Sequence, residues 1–249
     1  MIDLFSSHSQ QYAEFRPTYP QALYDFIYSH VRAFEVAWDS GTGNGQAARV
    51  LSDKFKKVLA TDISREQLGQ AYKAASISYS LAGEKTEFAS GSIDLITVAQ
   101  AIHWFDFEEF YREVNRVAKA DALLAVWGYG LLRINPDIDL LVTNFYKNTV
   151  GPYWNKQRRL IDESYKSIPF PFKEIKTPEF EISLTWSIDQ LEGYLTTWSA
   201  VQKYIRENHD NPVIPLMEKI IPFWVEKALP INFPVFLRLG RVNPQKPFC

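Results

Sequence analysis

Two carboxylates and three glycines give the first chemical reading of this chain. Residues 36–45 read Val36-Ala-Trp-Asp39-Ser-Gly41-Thr-Gly43-Asn-Gly45, a short apolar run that ends in an acid and passes into a glycine-rich turn. Farther on, Val58-Leu-Ala-Thr-Asp62 is a second apolar run ending in an acid, followed by Ile63. The glycines let the backbone turn sharply and let a ligand approach where a Cβ would collide. A turn of this kind delivers its ligand to a helix N-terminus. A carboxylate on the neighbouring strand can accept two hydroxyls at once. A third apolar run, residues 93–98, leads into Gln100-Ala-Ile-His103-Trp104-Phe105, where an imidazole stands beside two aromatic rings. Histidine is the side chain best suited to move a proton near neutral pH, although a histidine in such company can equally be a packed residue that holds its turn.

The spacing separates the possible cofactors. A dinucleotide fingerprint needs Gly-x-Gly-x-x-Gly. Here the register is Gly41-x-Gly43-x-Gly45, with Gln46 where the third glycine should fall. Asp39, two residues before the first glycine, would repel a pyrophosphate but not an ammonium. S-adenosylmethionine has an amino-acid end, a sulfonium, a ribose and an adenine, and no phosphate. Asp39 is suited to its amino-acid end and Asp62 to its ribose hydroxyls. An ordinary glycine-rich turn flanked by surface acids would use the same residues.

These residues need a scaffold. Runs at 34–39, 58–62, 77–82, 93–98 and 122–127 read as strands. Helices are expected from Pro20 in a first turn to about residue 32, then over 45–55, from Ser64 (a Ser-x-x-Gln67 capping box) to about residue 75, and over 107–118. The helix over 45–55 should turn Val50, Leu51 and Phe55 inward, and that over 107–118 should bury Phe110, Val114 and Val117. Strands alternating with helices predict a doubly wound parallel sheet with right-handed crossovers. Such a sheet binds its ligand outside the carboxyl ends of its strands. After Gly130 the pattern changes. Two helical stretches are expected within 137–167, a strand over 173–184 that is bulged or at an edge because it contains Pro178, helices over 188–229 broken near Pro212, and a last strand over 234–242.

Composition narrows the class. The 249 residues suit a single domain with a cap, and 46% are apolar, enough for a buried core. A net charge of −2 gives no nucleic-acid footprint, and the short cluster Lys156-Gln-Arg158-Arg159 reads as a solvated helix face. The lone cysteine, Cys249, permits no internal disulfide and suits a reducing compartment. With no secretory signal and no apolar run near the length of a membrane span, a cytoplasmic protein without membrane contact is expected. His8, His30, His103 and His209 are scattered and show no ligand spacing, so no metal is expected. Seven tryptophans are many, and they are compatible with an aromatic-lined pocket.

The loop with its two acids, together with residues 92–105, resembles the class I S-adenosylmethionine-dependent methyltransferases. The Ala-Gln-Ala-x-His-Trp-Phe form at residues 99–105, Tyr12-Ala-Glu-Phe-Arg16-Pro-Thr-Tyr19-Pro20, and Thr197-Trp198-Ser199 are similar to a small-molecule, trans-aconitate methyltransferase-like subgroup. The resemblance is dense over 12–127 and thin over 128–249. It implies a Rossmann-like seven-stranded sheet, mostly parallel, with an antiparallel C-terminal hairpin and helical lid insertions. All 249 residues then form one domain: an N-terminal cover (1–20), a cofactor-binding core (21–130), a lid (131–172 and 187–230) and two edge strands (173–186 and 233–243). It also implies methyl transfer to a small-molecule acceptor, with S-adenosylhomocysteine as product.

The resemblance extends the cofactor site to Arg16, Asp39, Gly41, Gly43, Gly45, Asp62, Ile63, Glu84, Gln100 and Trp104. Glu84 takes the place of the family's acid near the adenine. Arg16, whose planar fork pairs with carboxylates, is suited to the carboxylate of the cofactor or of the substrate. Trp104 is suited to the adenine or to the methyl pocket, where its face would attract a sulfonium; it can also be a core residue. Gln100 can bond the cofactor's amino-acid part or act as a spacer. Tyr12, Tyr19, Trp127 and Trp198 are assigned to the substrate pocket. His103 is a base, a contact or a structural residue. The acceptor is expected to be an oxygen, in a carboxylate or a hydroxyl. Two other readings use the same loop: a cofactor-binding sensor or partner without turnover, and a nicotinamide-dependent reductase, which Gln46 and Asp39 disfavour. The sequence leaves the oligomeric state open.

Overall fold

The computed structural model describes residues 17–243. Tyr12, Arg16 and Cys249 lie outside the described residues. A helix, α1 (Gln21–His30), opens the described chain and buries Leu23, Tyr24, Ile27 and Tyr28. Pro20 is its N-cap, in extended conformation, and not a residue of its first turn. Its carbonyl takes the N–H of Leu23 at 3.0 Å, so it still opens the helix.

Strands and helices then alternate: β1 (Val36–Ser40), α2 (Gln46–Ser52), β2 (Lys57–Asp62), α3 (Arg65–Gln70), β3 (Ile77–Leu81), β4 (Ile93–Ala99), α4 (Phe107–Val117) and β5 (Ala118–Tyr129). β4 is buried along nearly its whole length, as a strand covered on both faces must be. The order β3-β2-β1-β4-β5 is parallel throughout, and the chain reverses direction across the sheet between β1 and β4. One face packs on α1, α2 and the lid; the other packs on α4 and the segment that ends at Phe172. Phe110, Val114 and Val117 are buried, as their spacing implies. On α2 the inward face is Ala47, Ala48 and Leu51; Val50 is only partly buried, and Phe55 is buried beyond the end of the helix.

Two elements end or begin earlier than their sequence patterns imply. α3 stops at Gln70 because the chain turns back to the glycine loop, where Tyr72 N–H donates to Asn44 O at 3.2 Å. β5 begins at Ala118. Its register against β4 shifts between Ile93 and Leu95, and the irregularity contains Asp121 at φ +63°, a conformation that aspartate tolerates better than most residues.

The far side of the sheet is antiparallel. β8 (Leu229–Arg241) pairs with β5 on one side and, on the other, with β6 (Lys173–Ile175) and β7 (Phe180–Trp186). The sheet therefore has eight strands in seven positions. The expected strand over 173–184 is split around Pro178, which supplies no N–H to a ladder. Residues 233–243 had been expected at an edge, but β8 is internal, and the edge on this side of the sheet is formed by β6 and β7. The lid is two insertions. One runs from α5 (Pro136–Asn144) through a π turn (Phe145–Thr149) to α6 (Arg158–Asp162). The other holds α7 (Ile188–Thr196), α8 (Ser199–Asn208) and α9 (Val213–Ile220). Ser187 and Gln190 form a reciprocal capping box that starts α7. No helix among the described residues is long and apolar enough to cross a membrane.

Candidate active site

A cleft opens over the carboxyl ends of the parallel strands. Its floor takes Ser40–Asn44 after β1, Asp62–Ser64 after β2, Ala82 and Gly83 after β3, Ala99–Ala101 with His103–Phe105 after β4, and Tyr129 at the end of β5. Tyr19 and, from the lid, Trp154, Arg158, Tyr194 and Trp198 form its roof. This is the crevice at the reversal of strand order where open α/β sheets bind ligands.

The glycine loop is shaped by contacts that only glycine permits. Gly41 has φ +69°, and a Cβ there would lie 2.6 Å from Ala101 Cβ. Gly45, the N-cap of α2, has φ +84°, and its Cβ would meet Tyr79 Oη at 2.4 Å. Gly41 and Gly43 line the cleft, whereas Gly45, also expected in the cofactor site, lies outside the lining; a Cβ on Gly43 would meet only Gln67 Oε1, at 3.9 Å.

The two acids have different roles. Asp62 lines the cleft and joins two loops: Oδ2 accepts Gly43 N–H and Oδ1 accepts Ser64 N–H, each at 2.8 Å. Each carboxylate oxygen can accept a second hydrogen bond, so the pair is suited to two adjacent hydroxyls. Asp39 is 1% exposed and lies beneath the loop, not in the cleft lining. Its carboxylate accepts Thr42 Oγ1 at 2.5 Å and Thr97 Oγ1 at 2.8 Å. Burial, aided by the nearby charge of Asp62, pushes its pKa up to about 6 against the pull of these hydrogen bonds. The expected direct contact of Asp39 with the ligand's amino-acid end gives way to a supporting position, because the carboxylate is buried beneath the loop and does not reach the cleft.

After β4 the chain turns at Gln100, whose φ is +55°. Gln100 is in the lining, yet its amide is engaged with the backbone of Tyr129: Oε1 accepts the N–H at 2.8 Å and Nε2 donates to the carbonyl at 3.5 Å. It fastens β4 to β5 across the cleft floor. His103 is buried and also in the lining; its Nδ1 shares a hydrogen bond with Tyr165 Oη at 2.9 Å, the two rings nearly parallel. Tyr165 is fully buried, and its carbonyl accepts Arg238 Nη1 of β8. The first lid insertion thus fixes the imidazole. Trp104 stands beside His103, with ring centroids 4.9 Å apart, and lines the cleft.

Two further expectations are corrected. Glu84 is not in the lining; its Oε1 accepts Asp106 N–H at 3.0 Å and so helps to hold the start of α4. Ala82 and Gly83 form the wall where that acid was expected. Trp127 is fully buried behind Tyr19, which meets it edge-on at 5.7 Å, and it does not reach the cleft. β5 runs on to Tyr129, so Trp127 lies two residues short of the strand end on the same face, packed against Tyr24 of α1. Ile63, Tyr19 and Trp198 line the cleft.

Arg158 is the residue that the sequence reading missed. It lines the cleft with its side chain 23% exposed, not on a solvated face. Its guanidinium lies 4.7 Å from the centroid of Trp154 and 5.3 Å from that of Tyr146. No local sequence signal marks it: Trp154 is extended and the helix begins only at Arg158, so the two meet through the fold of the lid.

Comparison with known proteins then decides the family. A methyltransferase-domain family matches residues 38–126, from β1 into β5. A Dictyostelium discoideum protein named as a methyltransferase is 35% identical, with 96% of this chain and 95% of that protein covered. The chain belongs to the class I S-adenosylmethionine-dependent methyltransferases. The methyltransferase is also similar, at TM-score 0.86 and 35% identity, to the solved structure of a protein named a type II methyltransferase from Anaeromyxobacter dehalogenans, covering 92% of this chain and 99% of that one. A Saccharomyces cerevisiae protein that carries the name of an S-adenosylmethionine-dependent methyltransferase is 25% identical over 83% of this chain. These relatives are similar over both core and lid, so the lid is part of the shared architecture of this methyltransferase and not an addition to it.

Proposed function

We propose that this methyltransferase acts on a small organic acceptor, of the kind used by the trans-aconitate methyltransferase-like subgroup, and methylates an oxygen of it. The observation that carries the reading is the roof. Trp154, Tyr194 and Trp198 with Tyr19 close over the strand ends, and Trp154 and Trp198 are 5.7 Å apart between ring centroids. Such an enclosure suits a small planar or apolar molecule better than a polymer.

The residues fit S-adenosylmethionine. Asp62 has acceptor capacity left for the ribose hydroxyls, the space over Gly43 is open, and Ala82 and Gly83 with Ile63 give an apolar wall for the adenine. The cofactor supplies a methyl group already activated on a sulfonium: the acceptor oxygen forms its bond to carbon as the carbon–sulfur bond breaks, and sulfur keeps the electron pair.

The protein then has to position and desolvate, and orientation alone can contribute about 7–11 kcal/mol. Tyr194, Trp154 and Trp198 exclude water from the upper cleft. Gln100 keeps the ends of β4 and β5 in register beneath the reacting groups. A carboxylate acceptor carries no proton to remove. A hydroxyl does, and His103, held by Tyr165, is the group placed to take it.

The test is turnover. The purified protein is incubated with S-adenosylmethionine and a set of small carboxylic acids and phenols, and S-adenosylhomocysteine and methylated product are read by mass spectrometry. Stoichiometric appearance of both with a small acceptor supports the reading. Transfer only to protein or nucleic acid overturns it.

A further inference from the structure

Carboxylate and guanidinium charge in the cleft is divided between two residues. Among the described residues that line it, Asp62 is the sole Asp or Glu and Arg158 the sole Lys or Arg. Asp62 belongs to the floor and Arg158 to the lid.

Arg158 is held for recognition along one edge. Its Nε donates to Tyr146 Oη at 2.7 Å, and that hydroxyl donates to Asp162 Oδ1 at 2.6 Å. Asp162 itself lies 3.7 Å from Nε. The Trp154 and Tyr146 rings restrain the guanidinium by cation–π contact. Nη1 and Nη2 make no hydrogen bond among the described residues. A guanidinium fixed at Nε, with its other donors unspent beside an aromatic enclosure, is organised for a planar two-oxygen anion. One cation, with no second Lys or Arg among the described residues of the lining, matches the single charge of a carboxylate better than the double charge of a phosphate.

We infer that Arg158 anchors a carboxylate of the acceptor. This deepens the proposed function and rests on it. Lone pairs engaged by a guanidinium are poor nucleophiles, so the anchored carboxylate is a handle and the methyl goes to a different oxygen. The acceptor therefore carries at least two functional groups: one carboxylate for Arg158 and one hydroxyl or second carboxylate for transfer.

The experiment is a calorimetric titration in two stages. S-adenosylhomocysteine is titrated first into wild type, Arg158→Met and Arg158→Lys. Each complex is then titrated with benzoate, cinnamate, salicylate and succinate and with the corresponding neutral amides. The expected result is that S-adenosylhomocysteine binds all three proteins within about threefold, as a cofactor held by the floor and not by Arg158 requires. At least one carboxylate binds wild type, and both its amide and the Arg158→Met variant lose roughly 10- to 100-fold, the range for a charge-assisted pair. Arg158→Lys recovers only part of that loss, because it keeps the charge without the fork. The inference is overturned if no carboxylate binds, if amides bind as well as acids, or if Arg158→Met weakens S-adenosylhomocysteine instead, which would assign the guanidinium to the cofactor. Failure of wild type to bind S-adenosylhomocysteine is seen in the first stage and counts against the cofactor reading itself.

Discussion

The carboxylate of Asp62 accepts the backbone N–H of Gly43 at 2.8 Å and so ties the end of β2 to the glycine loop that follows β1. One side chain thereby shapes the loop and offers acceptors to the cleft. Asp62→Asn keeps the size but replaces one acceptor with a donor. It should weaken S-adenosylhomocysteine by roughly 10- to 100-fold, the worth of one or two charge-assisted hydrogen bonds. Equilibrium titration reads this directly, and an unchanged dissociation constant would remove Asp62 from the ribose site.

Gly45 provides a test of loop geometry by stability. Gly45→Ala places a Cβ at φ +84° and 2.4 Å from Tyr79 Oη. A loss of about 1–3 kcal/mol in chemical denaturation is expected, part from the left-handed backbone and part from the collision. Adding Tyr79→Phe removes the nearest atom and leaves Cζ at 3.3 Å. Relative to Tyr79→Phe alone, the double variant should lose only the backbone cost of about 1 kcal/mol. Because Tyr79→Phe also removes the bond from Tyr79 Oη to the Tyr72 carbonyl, the cost of Gly45→Ala is compared in the wild-type and Tyr79→Phe backgrounds, and an equal cost in both would show that no collision occurs.

Asp39 makes a prediction about pH. Its pKa rises from 3.8 in the unfolded chain to about 6 in the fold, chiefly through burial. The folded state therefore binds this proton more tightly, and stability falls as pH rises between those two values. The loss is complete above the folded pKa and is of order 3 kcal/mol, at about 1.4 kcal/mol per pH unit. Asp39→Asn does not titrate. The stability difference between Asp39→Asn and wild type should move in the variant's favour from about pH 4 to about pH 7. A constant difference across that range would contradict the raised pKa.

His103 and Tyr165 predict a split between chemistry and binding. With a hydroxyl acceptor, His103→Ala should reduce kcat by roughly 10²–10⁴-fold, the usual contribution of a general base. S-adenosylhomocysteine affinity should stay within a few-fold. Tyr165→Phe removes the bond to Nδ1 and should alter the pH profile of kcat with a smaller loss. Turnover unchanged in His103→Ala would take the imidazole out of the mechanism.

The core was legible because its signals are local. The acids at 39 and 62, the three glycines and the alternation of apolar runs each occupy a few consecutive residues, and β1, β2 and β4 form close to where they imply. What needed tertiary knowledge was missed or misplaced. Glu84 is an acid in the expected stretch, but the backbone points it at the start of α4. Trp127 reads as the end of a strand, but β5 runs two residues farther, so Tyr129 reaches the cleft and Trp127 stays in the core beneath it. Arg158 sits in a short basic cluster that reads as solvated, and only the fold of the lid against Trp154 and Tyr146 brings it to the cleft. The edge strand was legible as irregular from Pro178, whereas its division into β6 and β7 on one flank of β8 was not.

The central claim is that the loop between β1 and α2, held by Asp62, is an adenosyl-cofactor site. A calorimetric titration of the purified chain with S-adenosylhomocysteine and with NAD, repeated on Asp62→Ala, tests it most directly, with a thermal melt to confirm that the variant is folded. The account predicts saturable S-adenosylhomocysteine binding by wild type, its loss in Asp62→Ala, and no heat from NAD with either. Folded wild type that ignores S-adenosylhomocysteine, or an Asp62→Ala variant that binds it as tightly as wild type, would contradict the account.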